Sequence, residues 1–140
     1  MPFSVLRRAL AAALVAGAAV MAAPGPAAAW SGGGCTGPAG RQACVTVVTG
    51  DGGHPEVRFE ARADLTADAG RDCRLRLVSF DDTTRWRWDY ALMPCGKPQE
   101  MKWTLPNPTF GHAYRAELQI LPNGRNYEFA EFVQSPSLTF

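Results

Sequence analysis

Between Glu56 and Leu65 apolar and charged side chains alternate without a break. Val57, Phe59, Ala61, Ala63 and Leu65 form one set, and Glu56, Arg58, Glu60, Arg62 and Asp64 the other. A period of two sends one set into a core and the other into water, so this spacing predicts a β-strand. The pattern returns at Cys73, Leu75 and Leu77 against Arg74 and Arg76, and again at Met101, Trp103 and Leu105. It is clear once more at Tyr114, Ala116, Leu118 and Ile120, set against Arg115, Glu117 and Gln119. Val45-Thr46-Val47-Val48 is β-branched, and Arg85-Trp86-Arg87-Trp88-Asp89-Tyr90 alternates charge with aromatic rings. Further strands are predicted over 127–133 and 138–140. Turn-forming clusters rich in Gly, Pro, Asn and Asp separate these runs. About seven short strands with regular turns predict an all-β fold, a single antiparallel sandwich.

The first 29 residues follow a different pattern. Arg7 and Arg8 precede an uncharged stretch from Ala9 to Ala23, Pro24-Gly25-Pro26 breaks it, and Ala27-Ala28-Ala29 supplies small residues before Trp30. These are the parts of a cleaved signal peptide over residues 1–29. The apolar run falls short of the roughly 20 residues that span a bilayer, which argues against a retained anchor. The residues around Arg7-Arg8 do not complete a twin-arginine signal, so the general secretion route is expected. Cys35 stands well beyond the apolar segment, without a lipoprotein box. The expectation is a secreted, soluble protein with no membrane contact after cleavage. Residues 30–43 are glycine-rich and lack periodicity, and are read as an arm before the domain at 44–140.

Four cysteines in a short exported chain predict two disulfides, for which three pairings exist. Short loops close most readily, which favours Cys35–Cys44 and Cys73–Cys95. A zinc site is disfavoured because no two cysteines stand two to four residues apart, and His54 and His112 lie elsewhere. Without Arg7 and Arg8 the chain carries 12 basic and 13 acidic side chains, a formal charge of −1. That balance excludes nucleic acid as the main partner, since phosphate binding needs a basic footprint.

Trp103-Thr104-Leu105 followed by His112-Ala113-Tyr114-Arg115-Ala116-Glu117-Leu118 resembles strands E and F of immunoglobulin-like and fibronectin-like sandwiches. Ser135-Pro136-Ser137-Leu138-Thr139-Phe140 is similar to the closing strand of bacterial immunoglobulin-like modules. The resemblance covers residues 44–140. It implies that Tyr114 is a corner tyrosine whose hydroxyl donates a hydrogen bond back across the turn. The residue two beyond Tyr114 is Ala116 rather than cysteine, and Cys73 and Cys95 are too close in sequence for the antibody-type bridge. Architecture alone is carried over, because this fold hosts unrelated activities.

Candidate chemistry is sparse. Ser79, Ser135 and Ser137 lie outside any G-x-S-x-G elbow. His54 and His112 stand beside turns and are expected to be solvated, and Asp81, Asp82 and Asp89 read as solubilising acids rather than a catalytic pair. Asp51 lies in a glycine turn without a calcium-loop pattern. No enzyme, cofactor or metal is expected. The most distinctive segment puts Trp86, Trp88 and Tyr90 on one strand face and Arg85, Arg87 and Asp89 on the other. Core packing is the first expectation for such a stripe. Exposed, and with Trp103 alongside, the rings would instead form a platform for a carbohydrate or a protein surface. The functional expectation is therefore a secreted binding module. One alternative is a protease inhibitor presenting Arg41 from a disulfide-bounded 35–44 loop, and another is a structural or adhesive extracellular protein.

Overall fold

The computed structural model describes residues 30–68, 72–90, 92–122 and 130–140. The signal segment 1–29 lies outside the described residues, as does the 127–129 part of the strand expected at 127–133. The described strands are β1 (Ser31–Gly32), β2 (Gly34–Thr36), β3 (Arg41–Thr49), β4 (Pro55–Ala63), β5 (Arg74–Asp81) and β6 (Trp86–Asp89). They continue with β7 (Met93–Pro94), β8 (Gln99–Leu105), β9 (Ala113–Leu121), β10 (Glu131–Gln134) and β11 (Leu138–Thr139). They form two antiparallel sheets. One has the order β2-β3-β4-β8; the other runs β1-β11-β9-β5-β6, with β10 also on β9 and β7 also on β5.

The larger sheet contains two interrupted strands. β10 and β11 follow the same edge of β9, and β6 and β7 the same edge of β5. Counted as continuous runs, they leave seven long strands plus β1 and β2. Pro136 breaks the first of these runs, because it has no N–H to donate. Ser135 compensates: its hydroxyl accepts the Ala116 N–H at 2.9 Å while its own N–H donates to the Ala116 carbonyl at 2.8 Å.

The alternation read from the sequence becomes one shared core. Val57, Phe59, Ala61 and Ala63 of the smaller sheet pack with Leu75, Leu77, Ala116, Leu118 and Ile120 of the larger. Burial of this apolar surface is the main favourable term in holding the sheets together.

Residues 30–43 are not a separate arm. β1 pairs with β11 in the larger sheet, β2 pairs with β3 in the smaller, and β3 already begins at Arg41. The segment crosses from one sheet to the other at Gly33, whose φ is +78°. A Cβ there would stand 2.8 Å from the Val45 carbonyl oxygen, so the crossing requires glycine. Glycines leave no side chains to alternate, which is why this strand pair has no periodicity.

Both disulfides have the pairing favoured by loop closure. Cys35 lies directly opposite Cys44 in the β2–β3 ladder, and Cys73–Cys95 ties the entry of β5 to the end of β7. Among the described residues no cysteine is free.

Tyr114 is fully buried at the start of β9, edge-on to Phe59. Its corner bond runs opposite to the expected direction. The hydroxyl oxygen accepts the backbone N–H of Thr109 at 2.8 Å, because the turn presents a donor and the phenol has lone pairs to meet it. Replacing Tyr114 by Phe should cost on the order of 1 kcal/mol, the usual net value of one hydrogen bond. A denaturation midpoint unchanged from wild type would show that this bond contributes nothing to the corner.

Candidate functional site: an aromatic corner between the sheets

The core-facing row of β5 reads Leu75, Leu77, Ser79, Asp81, and its second half is polar although Ser79 and Asp81 are buried. In the sheet register Ser79 lies between Trp88 of β6 and Ala116 of β9, and Asp81 lies between Trp86 and Tyr114. Side chains opposite one another share a face. Trp86 and Trp88 therefore point into the space between the sheets, beside Asp81 and Ser79.

That space is open on one side. β6 lies at the edge of the larger sheet and β8 at the edge of the smaller. Trp103 of β8 closes the gap partway. It stacks on the core ring of Phe59 (4.9 Å between centroids, 17° between planes) and meets Trp86 at 6.0 Å and Trp88 at 6.1 Å. Its indole N–H donates to the Ser79 hydroxyl. Trp86 and Trp88 are nearly parallel, 19° apart with centroids separated by 6.2 Å.

The aromatic stripe thus departs from the core packing expected of it. Trp86 is 39% and Trp88 52% exposed, because inward-facing residues on an edge strand have no neighbouring strand to cover them. Tyr90 and Trp103 are partly buried against the core. The structure brings Trp86, Trp88 and Trp103 into one cluster and ties Tyr90 to the interior, where its N–H donates to the Leu77 carbonyl at 2.8 Å.

Beside Trp86, where the strands give way to turns, lies an open cleft of about 450 Å³. Trp86, Leu105 and Tyr114 give it apolar walls, and Asp81, Thr84, Asn107 and Thr109 bring polar groups to it. The chain matches no known protein family, no curated protein and no solved structure. The geometry of this corner is therefore what a functional reading has to stand on.

Asp81 is not the solvated acid expected from sequence. One carboxylate oxygen accepts the N–H groups of Thr83 (3.0 Å) and Thr84 (3.2 Å), and the other lies 2.7 Å from Nδ1 of His112. Burial alone would raise its pKa. The hydrogen bond to His112, the bonds from Thr84 and the charge of His112 outweigh that effect and hold it below its ordinary value of 3.8. His112 is correspondingly fixed rather than free in solvent, whereas His54 and Asp51 do occupy the exposed turn between β3 and β4. The other two acids are also engaged: Asp82 pairs with Arg115 at 3.2 Å, and Asp89 accepts from Arg87 at 2.6 Å and Arg76 at 2.9 Å.

Arg41 is held in the sheet. It sits opposite Ala63, its guanidinium is 2.7 Å from Glu131, and its N–H closes the preceding turn on the Pro38 carbonyl at 2.9 Å. The 35–44 segment is a hairpin, with Cys35 opposite Cys44, Thr36 opposite Ala43 and an exposed turn between the two strands.

Sequence reading overlooked Asp81, His112, Thr84 and Asn107 as neighbours of the aromatic stripe. One signal was present: the row Leu75, Leu77, Ser79, Asp81 turns polar at positions that its own period directs to the core. Asn107 has φ +55°, a left-handed conformation that asparagine tolerates better than most residues.

Proposed function

We propose that this protein is an exported, immunoglobulin-like β-sandwich module that binds a carbohydrate or a protein surface through Trp86 and Trp88 and catalyses no reaction. The architecture is supported by strand order. β3-β4-β8 on one side and β10/β11-β9-β5-β6/β7 on the other correspond to the A-B-E and G-F-C-C′ arrangement of such domains, with Tyr114 at the E–F corner. Export is supported by the signal pattern at residues 1–29 and by two disulfides, which persist in oxidising compartments.

The observation that carries the binding reading is the exposure of two adjacent, near-parallel tryptophans braced from beneath by a third. Each leaves apolar surface in water that a ligand could cover, at roughly 25 cal/mol per Å². Trp103 already restrains the rings, so little conformational freedom remains to be lost on binding. Exposed aromatic anchors of this kind commonly dominate recognition.

Retention on insoluble cellulose, chitin and xylan, and on immobilised candidate protein ligands, tests the reading. Trp88→Ala should weaken retention by about 30-fold, in line with a binding hot spot. Its melting temperature should fall by only about 4–8 °C, corresponding to about 1 kcal/mol in a domain of this size. Undiminished retention of the variant would remove Trp88, and with it this face, from the binding reading.

A further inference from the structure

We infer that the cleft beside Trp86 is a subsite for one neutral sugar ring of a saccharide that continues across Trp88. This rests on the Trp86–Trp88 face being a binding surface and adds the class of its occupant and the residues that select it.

The argument begins with the floor of the cleft. A carboxylate on the core-facing row of a strand is costly to bury unless its oxygens are met by donors. Asp81 is met by Thr83, Thr84 and His112, so it is held in one orientation at the end of the row it shares with Trp86 and Tyr114. A carboxylate so placed accepts hydrogen bonds from a ligand and repels an anionic one.

The other polar groups narrow the choice. Thr84 and Thr109 bring hydroxyls and Asn107 an amide to the cleft, and each of these groups both donates and accepts. Sugar hydroxyls have the same dual character. A quaternary ammonium ion would suit Asp81 and the rings but has no hydrogen bond to exchange with these three groups. A purely apolar ligand would offer no hydrogen bond to Asp81 or to these three groups.

The walls fit the remaining requirement. A pyranose has a C–H-rich face that needs an apolar surface, and the indole of Trp86 supplies one at the mouth of the cleft. Trp86 is also the near-parallel neighbour of Trp88, so a chain leaving the cleft passes onto a second ring. A volume of about 450 Å³ lies within the range of small-molecule sites and has room for one ring with water.

Titration of the intrinsic tryptophan fluorescence tests the assignment. The probes are hexasaccharides of β-1,4-linked glucose, N-acetylglucosamine, xylose and mannose, with choline and glucuronate as charged comparisons. At least one neutral saccharide should give a saturable change, and choline and glucuronate none. Asn107→Gly keeps the left-handed backbone and removes the amide; it and Thr84→Ala should each weaken that saccharide by about 5- to 10-fold. Asp81→Asn should weaken it by about 10-fold or more, since hydrogen bonds to a charged group are stronger. If Asp81→Asn fails to fold, the Asn107 and Thr84 variants decide the matter. Saccharide binding that is lost in Trp88→Ala but unchanged in Asn107→Gly and Thr84→Ala would overturn the subsite and leave the aromatic face standing. Saturable binding of choline or glucuronate in preference to the saccharides would overturn the occupant. No response to any neutral saccharide would overturn the subsite, even if a Trp88-dependent protein ligand were found.

Discussion

Replacing Trp103 by Ala should destabilise the protein by about 3–5 kcal/mol, the usual cost of removing a large aromatic side chain from a core. The same change at Trp88 should cost only about 1 kcal/mol, near the value of an aromatic pair contact. The difference follows from where the two rings end. Trp103 lies on Phe59, itself fully buried, and donates its indole N–H to Ser79, which is also fully buried. Its removal opens a path from solvent to the middle of the core and leaves the Ser79 oxygen without its donor. Trp88 extends the same cluster outward and is more than half exposed. Chemical denaturation of both variants checks the difference. Equal losses at the two positions would mean that the cluster packs as one unit and that Trp88 is not available to a ligand.

Removing the Cys73–Cys95 bridge with paired serines should cost about 3.4 kcal/mol on a chain-entropy estimate, against about 2.6 kcal/mol for Cys35–Cys44. The separations in sequence are 22 and 9 residues. Local structure widens the gap. Cys35 and Cys44 face each other within a hairpin that the β2–β3 ladder also holds. β7 is held on β5 by only two residue pairs, one of which involves Pro94, a residue with no N–H. The second bridge therefore anchors the edge that carries Trp86 and Trp88. Thermal melts of the two double variants should show the larger drop for Cys73/Cys95, and a larger drop for Cys35/Cys44 would contradict this account of the edge.

Much of the fold was legible in the chain, for a physical reason that differs from element to element. The alternations over 57–65 and 114–120 correspond closely to β4 and β9, the strands whose inward faces form nearly half of the core. The cysteine pairing followed from loop closure, a property of the chain itself. Tyr114 was identified as the corner residue, but the direction of its bond depended on the donor that the turn happened to present. The strands within 30–43 were missed because glycine carries no periodic signal, although glycine is what allows the crossing at Gly33.

The candidate site divides in the same way. By itself the sequence determined that Trp86 and Trp88 share a strand face, since the period of a β-strand is a local property of the backbone. The same period, continued past Leu77, directs Ser79 and Asp81 to the core-facing row of β5, although Asp81 was expected to be solvated. What covers a face is not local. Only the tertiary structure decided that β6 and β8 are edges on the same side, leaving Trp86 and Trp88 half in water over a brace supplied by Trp103. It also joined Asp81 to His112, 31 residues away, and set both beside Trp86, because strand pairing between distant segments brings these groups together and no local pattern encodes that pairing.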